Sequence, residues 1–328
     1  MIAYLSLLDS LKLLQSFPGG IAQGILWGIM ALGVYITFRL LDIADLTVDG
    51  SFATGGAVTV MLVIAGIPAP IALLIATAAG IAAGALTGVL HTVFGIPAIL
   101  SGILTQFALY SINLHIMGMA ANKALNVDKY NLILTSRKIT MAILVGLGIA
   151  FVIIMILYWF FGTELGCAIR ATGNNLSMSK AQGINVNSIK VLGLALSNGL
   201  VALSGGLIAQ YQGYADIKMG QGAIVIGLAA VIIGEVLGEA IVGRHLNFFG
   251  RLTFVVIGGV IYYLVVNLVL WLRLNSNDLK LFTAIVVALF LAVPNLQTAR
   301  KSSFRRAGKI SLKRSTEDTA KKEEQDNA

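Results

Sequence analysis

ITMAILVGLGIAFVIIMILYWFF, residues 139–161, holds no charge and no proline, and it exceeds the roughly 20 apolar residues that a helix needs to cross a hydrocarbon core about 30 Å thick. Measured by that ruler, the sequence contains about nine such stretches. They run approximately over 20–40, 50–66, 69–93, 97–118, 139–161, 188–211, 222–242, 252–272 and 279–296. The whole chain of 328 residues is 57% apolar and only 12% charged, with a mean hydropathy of +0.88. A soluble domain does not have this composition. The expectation is an all-α polytopic membrane protein with about 8–10 transmembrane helices, organised as an N-terminal amphipathic segment (1–18), a membrane domain (19–297) and a basic, disordered tail (298–328).

The ends of the chain are read from their charges. The first seventeen residues carry Lys12 as their one basic group and show no small-residue cleavage site before Phe17, so a removable signal peptide is not expected. Leu7, Leu8, Leu11, Leu14 and Gln15 instead describe a helix with one apolar face. Between Arg300 and Arg314 there are seven Lys or Arg residues and no acid, which places the tail in the cytoplasm and accounts for much of the formal charge of +8. Aromatic residues are not interleaved there except Phe304, so nucleic acid is not an expected partner. Counting back from the tail puts the loop with Gly243, Arg244, His245 and Arg251 inside, and with it the longest polar interruption, 162–187. Residues 119–138 then fall outside. Nine crossings leave the N-terminus outside, unless the second segment crosses only partly.

Many of the 36 glycines recur at four-residue spacing inside the apolar stretches, as in Gly24 and Gly28, or Gly80, Gly84 and Gly88. Small residues so spaced let helix backbones approach closely in lipid. The single Cys167 rules out an internal disulfide and lacks neighbours at metal-ligand spacing, so it reads as packing and no metal site is expected.

Leu40 to Ser51, LLDIADLTVDGS, joins the first two stretches with three carboxylates. Burying such groups at membrane depth is costly without partners. Either this is a loop in which Asp49 or Ser51 caps the next helix, or it is a broken helix near residues 42–52 that offers backbone and side-chain polar groups to a solute. Asp42, Asp45 and Asp49 also have the DxxDxxxD spacing with which intramembrane prenyltransferases hold magnesium against a diphosphate. That enzyme chemistry calls for a second acidic cluster, and Asp216 and Asp278 stand alone.

The interior run Thr163 to Ile184, TELGCAIRATGNNLSMSKAQGI, is polar and basic at Arg170 and Lys180. From Asn174 to Gln182 it reads as a short helix, capped by Asn174 or Asn175 and stopped by Gly183. It resembles the coupling region of ABC permeases of the branched-chain amino acid type, whose pattern, close to T-x-x-G-x-A-x-R-A-x-G-x-N, falls here on Thr163, Gly166, Ala168, Arg170, Ala171, Gly173 and Asn175 or its neighbour. A-x-x-x-G-I follows at Ser179 or Ala181, Gly183 and Ile184. Within that family, DLTVDGSF (Asp45–Phe52), ALYSINL (Ala108–Leu114), VIIGEVL (Val231–Leu237), ALSGGLIAQYQGYADIKMGQG (Ala202–Gly222) and NDLKL (Asn277–Leu281) are similar to a tryptophan/tyrosine-type subgroup. The resemblance extends from about Gly20 to Pro294. His115 departs from it, standing where that subgroup commonly has Arg.

The resemblance implies an importer in the bacterial cell membrane, assembled from a homodimer of permease subunits, a cytoplasmic ABC ATPase dimer and an extracellular solute-binding lipoprotein, with membrane lipid around it. ATP and magnesium would belong to the ATPase, since this chain has no GxxxxGK[ST] loop, no catalytic residues and no cofactor of its own. ATPase coupling is expected at Arg170, Gly173, Asn174, Asn175, Met178, Lys180, Ala181 and Gly183. The solute path is expected along Asp45, Thr47, Asp49 and Ser51, then Thr105, Gln106, Tyr110, Ser111 and Asn113, then Asn198, Ser204 and Gln210. Each also has the plainer reading of an interhelical hydrogen bond. Residues 119–138 and the bend at Tyr211 to Gly220 are candidate docking surfaces for the binding protein, and Glu235 and Glu239 are expected to pair with Arg244 or the coupling loop. A stand-alone secondary transporter and a prenyltransferase-like enzyme are the competing classes. An amino acid, aromatic or related, leads among solutes.

Overall fold

Apolar runs separated by glycine and proline become long helices joined by tight turns. The computed structural model describes residues 2–243 and 246–271, and beyond them the single positions Leu281, Ile285 and Ala288. Apart from those positions, the ninth apolar stretch and the basic tail lie outside the described residues. The helices are α1 (Ile2–Tyr35), α2 (Thr47–Ile64), α3 (Ala69–Thr92), α4 (Ala98–Ile116), α5 (Ile139–Gly162), α6 (Glu164–Asn174), α7 (Leu176–Ala181), α8 (Val186–Gln212), α9 (Ala223–Ile241) and α10 (Phe248–Trp271). Among the described residues, all but α6 and α7 are long and apolar enough to cross a bilayer, eight spans in all, the first over Phe17–Leu40. The protein is an all-α polytopic membrane protein. Its described strands are the short β1 (Asn122–Ala124) and β2 (Tyr214–Asp216), paired antiparallel with Lys123 opposite Ala215.

Gly-Ile-Pro punctuates the chain twice. Gly66 and Gly95 adopt left-handed conformations, at φ +91° and +70°, and Pro68 and Pro97 stand at the starts of α3 and α4. At the first, Gly66 N donates to Val63 O and Ile67 N to Leu62 O, both at 3.0 Å, the paired bonds of a glycine helix stop. Proline then starts the next helix, where its missing N–H costs nothing.

The span that begins at Phe17 and helices α2 and α8 are mostly buried, whereas α4 and α5 turn most of their length outward. The glycine rows explain how the central helices meet. A Cβ on Gly24 would lie 2.5 Å from the Val260 Cα, and one on Gly28 would lie 3.0 Å from the Val256 Cα, so α1 and α10 run backbone to backbone. Gly80, Gly84 and Gly88 of α3 meet Asn198, Leu194 and Val191 of α8 in the same way. Dispersion between closely approaching backbones takes the place of a hydrophobic drive that lipid cannot supply.

Two expectations change. The break is real but shorter: a π-turn over Ile36–Leu40 leads into non-helical residues 41–46, and Thr47 to Phe52 are already helical. The run before the coupling helix is not a loop but α6, whose first turn is capped by the Thr163 hydroxyl accepting from Gly166 N. The coupling helix itself is α7, with Asn175 as its cap and Gly183 left-handed at φ +80°. Helix α1 runs on through Pro18.

Candidate functional site

The break after α1 creates a buried polar junction. Asp42, at φ +54°, is exposed, while the Asp45 side chain turns into the bundle and is almost wholly buried. Its Oδ1 accepts from Thr47 N at 2.9 Å, and its Oδ2 accepts from Asn198 Nδ2 of α8 at 2.6 Å. Thr47 Oγ1 lies 2.8 Å from Thr87 Oγ1 of α3, which donates to Thr105 Oγ1 of α4 at 2.9 Å. Four helices thus share one chain of polar groups that is closed to solvent. Buried groups of this kind are stable only when paired, and the pairing fixes how α2, α3, α4 and α8 sit together.

Asp49 has a different neighbour. Its Oδ2 accepts from Gly222 N and its Oδ1 from Ile224 N, both at 3.0 Å, so a side chain of α2 caps α9. Fifteen residues of α2 separate Asp49 from Ile64, roughly 22 Å at 1.5 Å per residue. Near that far end of α2, Val60 and Val63 pack in one apolar cluster with Ala215 and Ile217. The chain from Ile217 to Gly222 therefore descends beside α2, with Met219 against Gly56 and Gly220 against the Asp49 backbone. Helix α9 starts inside the bundle. The three aspartates go to solvent, to α8 and to α9, and do not converge on one point as a magnesium cradle requires.

The remaining pathway candidates divide by environment. Ser204 Oγ donates to Leu26 O at 2.8 Å, and Gln210 Oε1 accepts from Ile133 N at 3.1 Å. Ser51 and Asn113 are buried, and Ser51 Oγ, Asn113 Oδ1, Asn198 Oδ1 and Gln210 Nε2 find no partner among the described residues. Tyr110 and Ser111 face outward and Gln106 is half-buried. The buried face of α4 is Ser101, Thr105, Leu109 and Asn113, at successive four-residue steps, so Tyr110 and Asn113 are not brought together.

At one end of the bundle α6 and α7 form a polar projection. Gly173 lies against the backbone of Leu40, so close that any Cβ would overlap it, and this docks α6 onto the end of the π-turn. Asn175 Oδ1 accepts from Met178 N at 3.0 Å. Asn174, Asn175, Met178, Lys180, Ala181 and Gly183 are exposed. Arg170 turns back toward the bundle, its Nη2 donating to Phe161 O at 2.9 Å. Cys167, expected to be packed, is exposed and accepts weakly from the same Nη2 at 3.3 Å. Glu235 pairs with Arg39 at 2.7 Å, not with the coupling loop.

At the opposite end β1 and β2 make a small platform. It is held by Leu125 N donating to Gly213 O at 2.8 Å and by Asn122 Nδ2 donating to Asp216 Oδ2 at 3.3 Å. Arg137 pairs with Asp128 on the same segment.

Two polar contacts between helices escape a reading of the sequence. Thr87 is the hub of the polar junction, yet its signal is only one hydroxyl on the Gly80–Gly84–Gly88 face. The link between Lys190 Nζ and His91 Nε2, 3.2 Å across α8 and α3, joins residues 99 apart in sequence.

Comparison with known proteins follows the same outline. Residues 17–294 match the family model for the branched-chain amino acid transport system, permease component. The chain is 39% identical over 287 residues to a tyrosine transport system permease protein of Clostridioides difficile (strain R20291), covering 86% of this chain and 92% of that protein. It is 33% identical over 267 residues to an uncharacterized protein of Rickettsia prowazekii (strain Madrid E), covering 80% and 92% respectively. Among solved structures it is similar to PsaBC from Streptococcus pneumoniae in complex with Fab, with a TM-score of 0.49 and 16% identity, over 89% of this chain and 94% of that one. A family match that takes in all eight described spans, the polar junction and the projecting helix pair means that this chain belongs to the permease components of branched-chain amino acid transport systems.

Proposed function

We propose that the chain is the membrane subunit of an ATP-driven ABC importer in a bacterial cell membrane, working as a homodimer with a cytoplasmic ATPase dimer and an extracellular solute-binding lipoprotein. The observation that carries this reading is the projection of α6 and α7. A polar helix with its own cap, exposed on Met178 and Lys180, and rooted through Gly173 on the end of the π-turn, suits a mechanical grip. Closure of a motor on α7 would press through α6 on the π-turn and the break that follows it. That break holds Asp45 and leads into α2, so a rigid-body push would reach the polar junction. ATP and magnesium act on the partner subunit.

The solute is an amino acid, with an aromatic one favoured by the likeness to the tyrosine permease. Asp45, Thr47, Asp49, Ser51, Thr105, Asn113 and Asn198 line the path, and Gln106, Tyr110, Ser111, Ser204 and Gln210 flank it. The β1–β2 platform with residues 119–138 receives the binding protein.

The decisive experiment reconstitutes the full chain with its ATPase and binding protein, and replaces Gly173–Gly183 with a flexible linker. Uptake should be abolished while the chain still inserts and melts cooperatively; unimpaired ATP-dependent uptake would end this reading. Transport by the chain alone, driven by an ion gradient and indifferent to ATP, would favour a secondary transporter instead. Thermal-shift screening of the binding protein against metabolites tests the solute, because a selective ligand raises the melting point by mass action. Stabilisation by sugars alone would remove the amino acid assignment.

A further inference from the structure

Where α5 ends, α6 begins and α10 starts, a cavity of about 640 Å³ opens at the surface. None of the residues proposed for the solute path lines it. Its wall is unusual in composition: Arg170 supplies a guanidinium, Tyr158, Trp159 and Phe248 supply aromatic faces, Thr163 and Asn247 supply neutral polar groups, and none of its described lining residues is a carboxylate.

The guanidinium is held in place. Nη2 donates to Phe161 O at 2.9 Å, and the guanidinium carbon stands 5.6 Å from the centre of the Phe248 ring. Among the described residues Nε and Nη1 have no hydrogen-bond acceptor, and the side chain is exposed. An orientated cation with unused donors over an aromatic floor suits a phosphate oxyanion.

The approach to the cavity is equally specific. Phe151, Val152, Met155, Ile156 and Trp159 are all exposed on α5, and positions i, i+1, i+4, i+5 and i+8 make one continuous stripe. In a bilayer this stripe faces acyl chains. It ends at Tyr158 and Trp159, which are 50% and 72% exposed, the residue types that settle at headgroup depth. Arg170 lies one helix beyond, so apolar, interfacial and cationic surfaces follow one another in the order of a lipid's own parts.

We infer that this cavity binds an anionic phospholipid, its acyl chains along the α5 stripe and its phosphodiester on Arg170. Basic pockets beside membrane helices take anionic headgroups in this way. The bound lipid would hold α6, and with it the root of α7, against the membrane surface. This goes beyond the transport reading and does not depend on it.

The test uses the full chain, delipidated in detergent micelles and titrated with dioleoyl phosphatidylglycerol, dioleoyl phosphatidylcholine or inorganic phosphate, with melting temperature and apparent affinity as readouts. Phosphatidylglycerol should bind about five- to tenfold more tightly than phosphatidylcholine. Arg170→Gln should abolish the preference, Arg170→Lys should keep part of it, and Trp159→Ala should weaken both lipids while leaving the chain folded. Lys180→Gln, which removes a cation outside the cavity, should leave the lipid preference as it is. Equal affinity for the two lipids, or loss of the preference in Lys180→Gln, would overturn the inference. So would protection by inorganic phosphate alone, which would assign a soluble anion, or an Arg170→Gln chain that keeps its lipid preference and loses only ATPase co-purification, which would assign the cavity to the protein partner.

Discussion

Asp45 has two hydrogen bonds and is buried, and that makes its neighbours sensitive. Asn198→Ala leaves the Oδ2 acceptor buried and unmatched, so the folded chain should lose about 1–3 kcal/mol. Asp45→Asn keeps an oxygen for Thr47 N and should cost less, whereas Asn198→Asp sets two carboxyl groups against each other and should cost most. Melting temperatures of the three variants in detergent would check the order; equal losses would show that the junction is not a connected unit. At Asn175 the side chain satisfies the first turn of α7, a cap worth about 1 kcal/mol. Asn175→Ala should speed hydrogen exchange over 176–181 while leaving that of α8 unchanged. The sequence narrowed this cap to Asn174 or Asn175, because both are asparagines, and only the backbone path distinguishes them.

Between elements, contact is set by where side chains are missing. Gly84 of α3 faces the Leu194 carbonyl, and Gly148 of α5 meets nothing within 4 Å. Gly84→Ala should therefore force α3 and α8 apart and cost about 1–3 kcal/mol. Gly148→Ala should be neutral or stabilising by up to about 1 kcal/mol, since alanine is the better helix former. Thermal unfolding of the two variants side by side would separate packing from propensity; similar behaviour would mean that the glycine row is not a contact surface. The row itself is visible in the sequence at four-residue spacing. The partner is not, because spacing describes a face and says nothing about which helix comes to it. The same limit applies to α4, where Gln106, Tyr110 and Asn113 share a helix but differ in exposure, and to Glu235, whose partner Arg39 is 196 residues away.

For the molecule as a whole, the two ends of the bundle should face opposite compartments. Cys167 is the chain's one cysteine, so in a Cys167→Ser background single cysteines at Lys123 and Lys180 report sidedness. A membrane-impermeant thiol reagent applied to intact cells should label Lys123→Cys and leave Lys180→Cys untouched until the membrane is opened. Labelling of Lys180→Cys in intact cells would reverse the topology and remove the cytoplasmic grip.

Hydropathy and punctuation, which are local properties, were enough to establish a helical membrane chain, the approximate places of its eight described spans and a polar helix after α5. Burying polar groups is a matter of finding partners, and partners come from distant parts of the chain. The junction of Asp45, Thr47, Thr87, Thr105 and Asn198, the capping of α9 by Asp49, and the turning of Arg170 onto Phe248 were therefore decided only when the helices packed. In each case a hydrogen-bonding group had to be satisfied within the packed bundle or a charge held against a ring, and three-dimensional proximity, not sequence spacing, supplied the match.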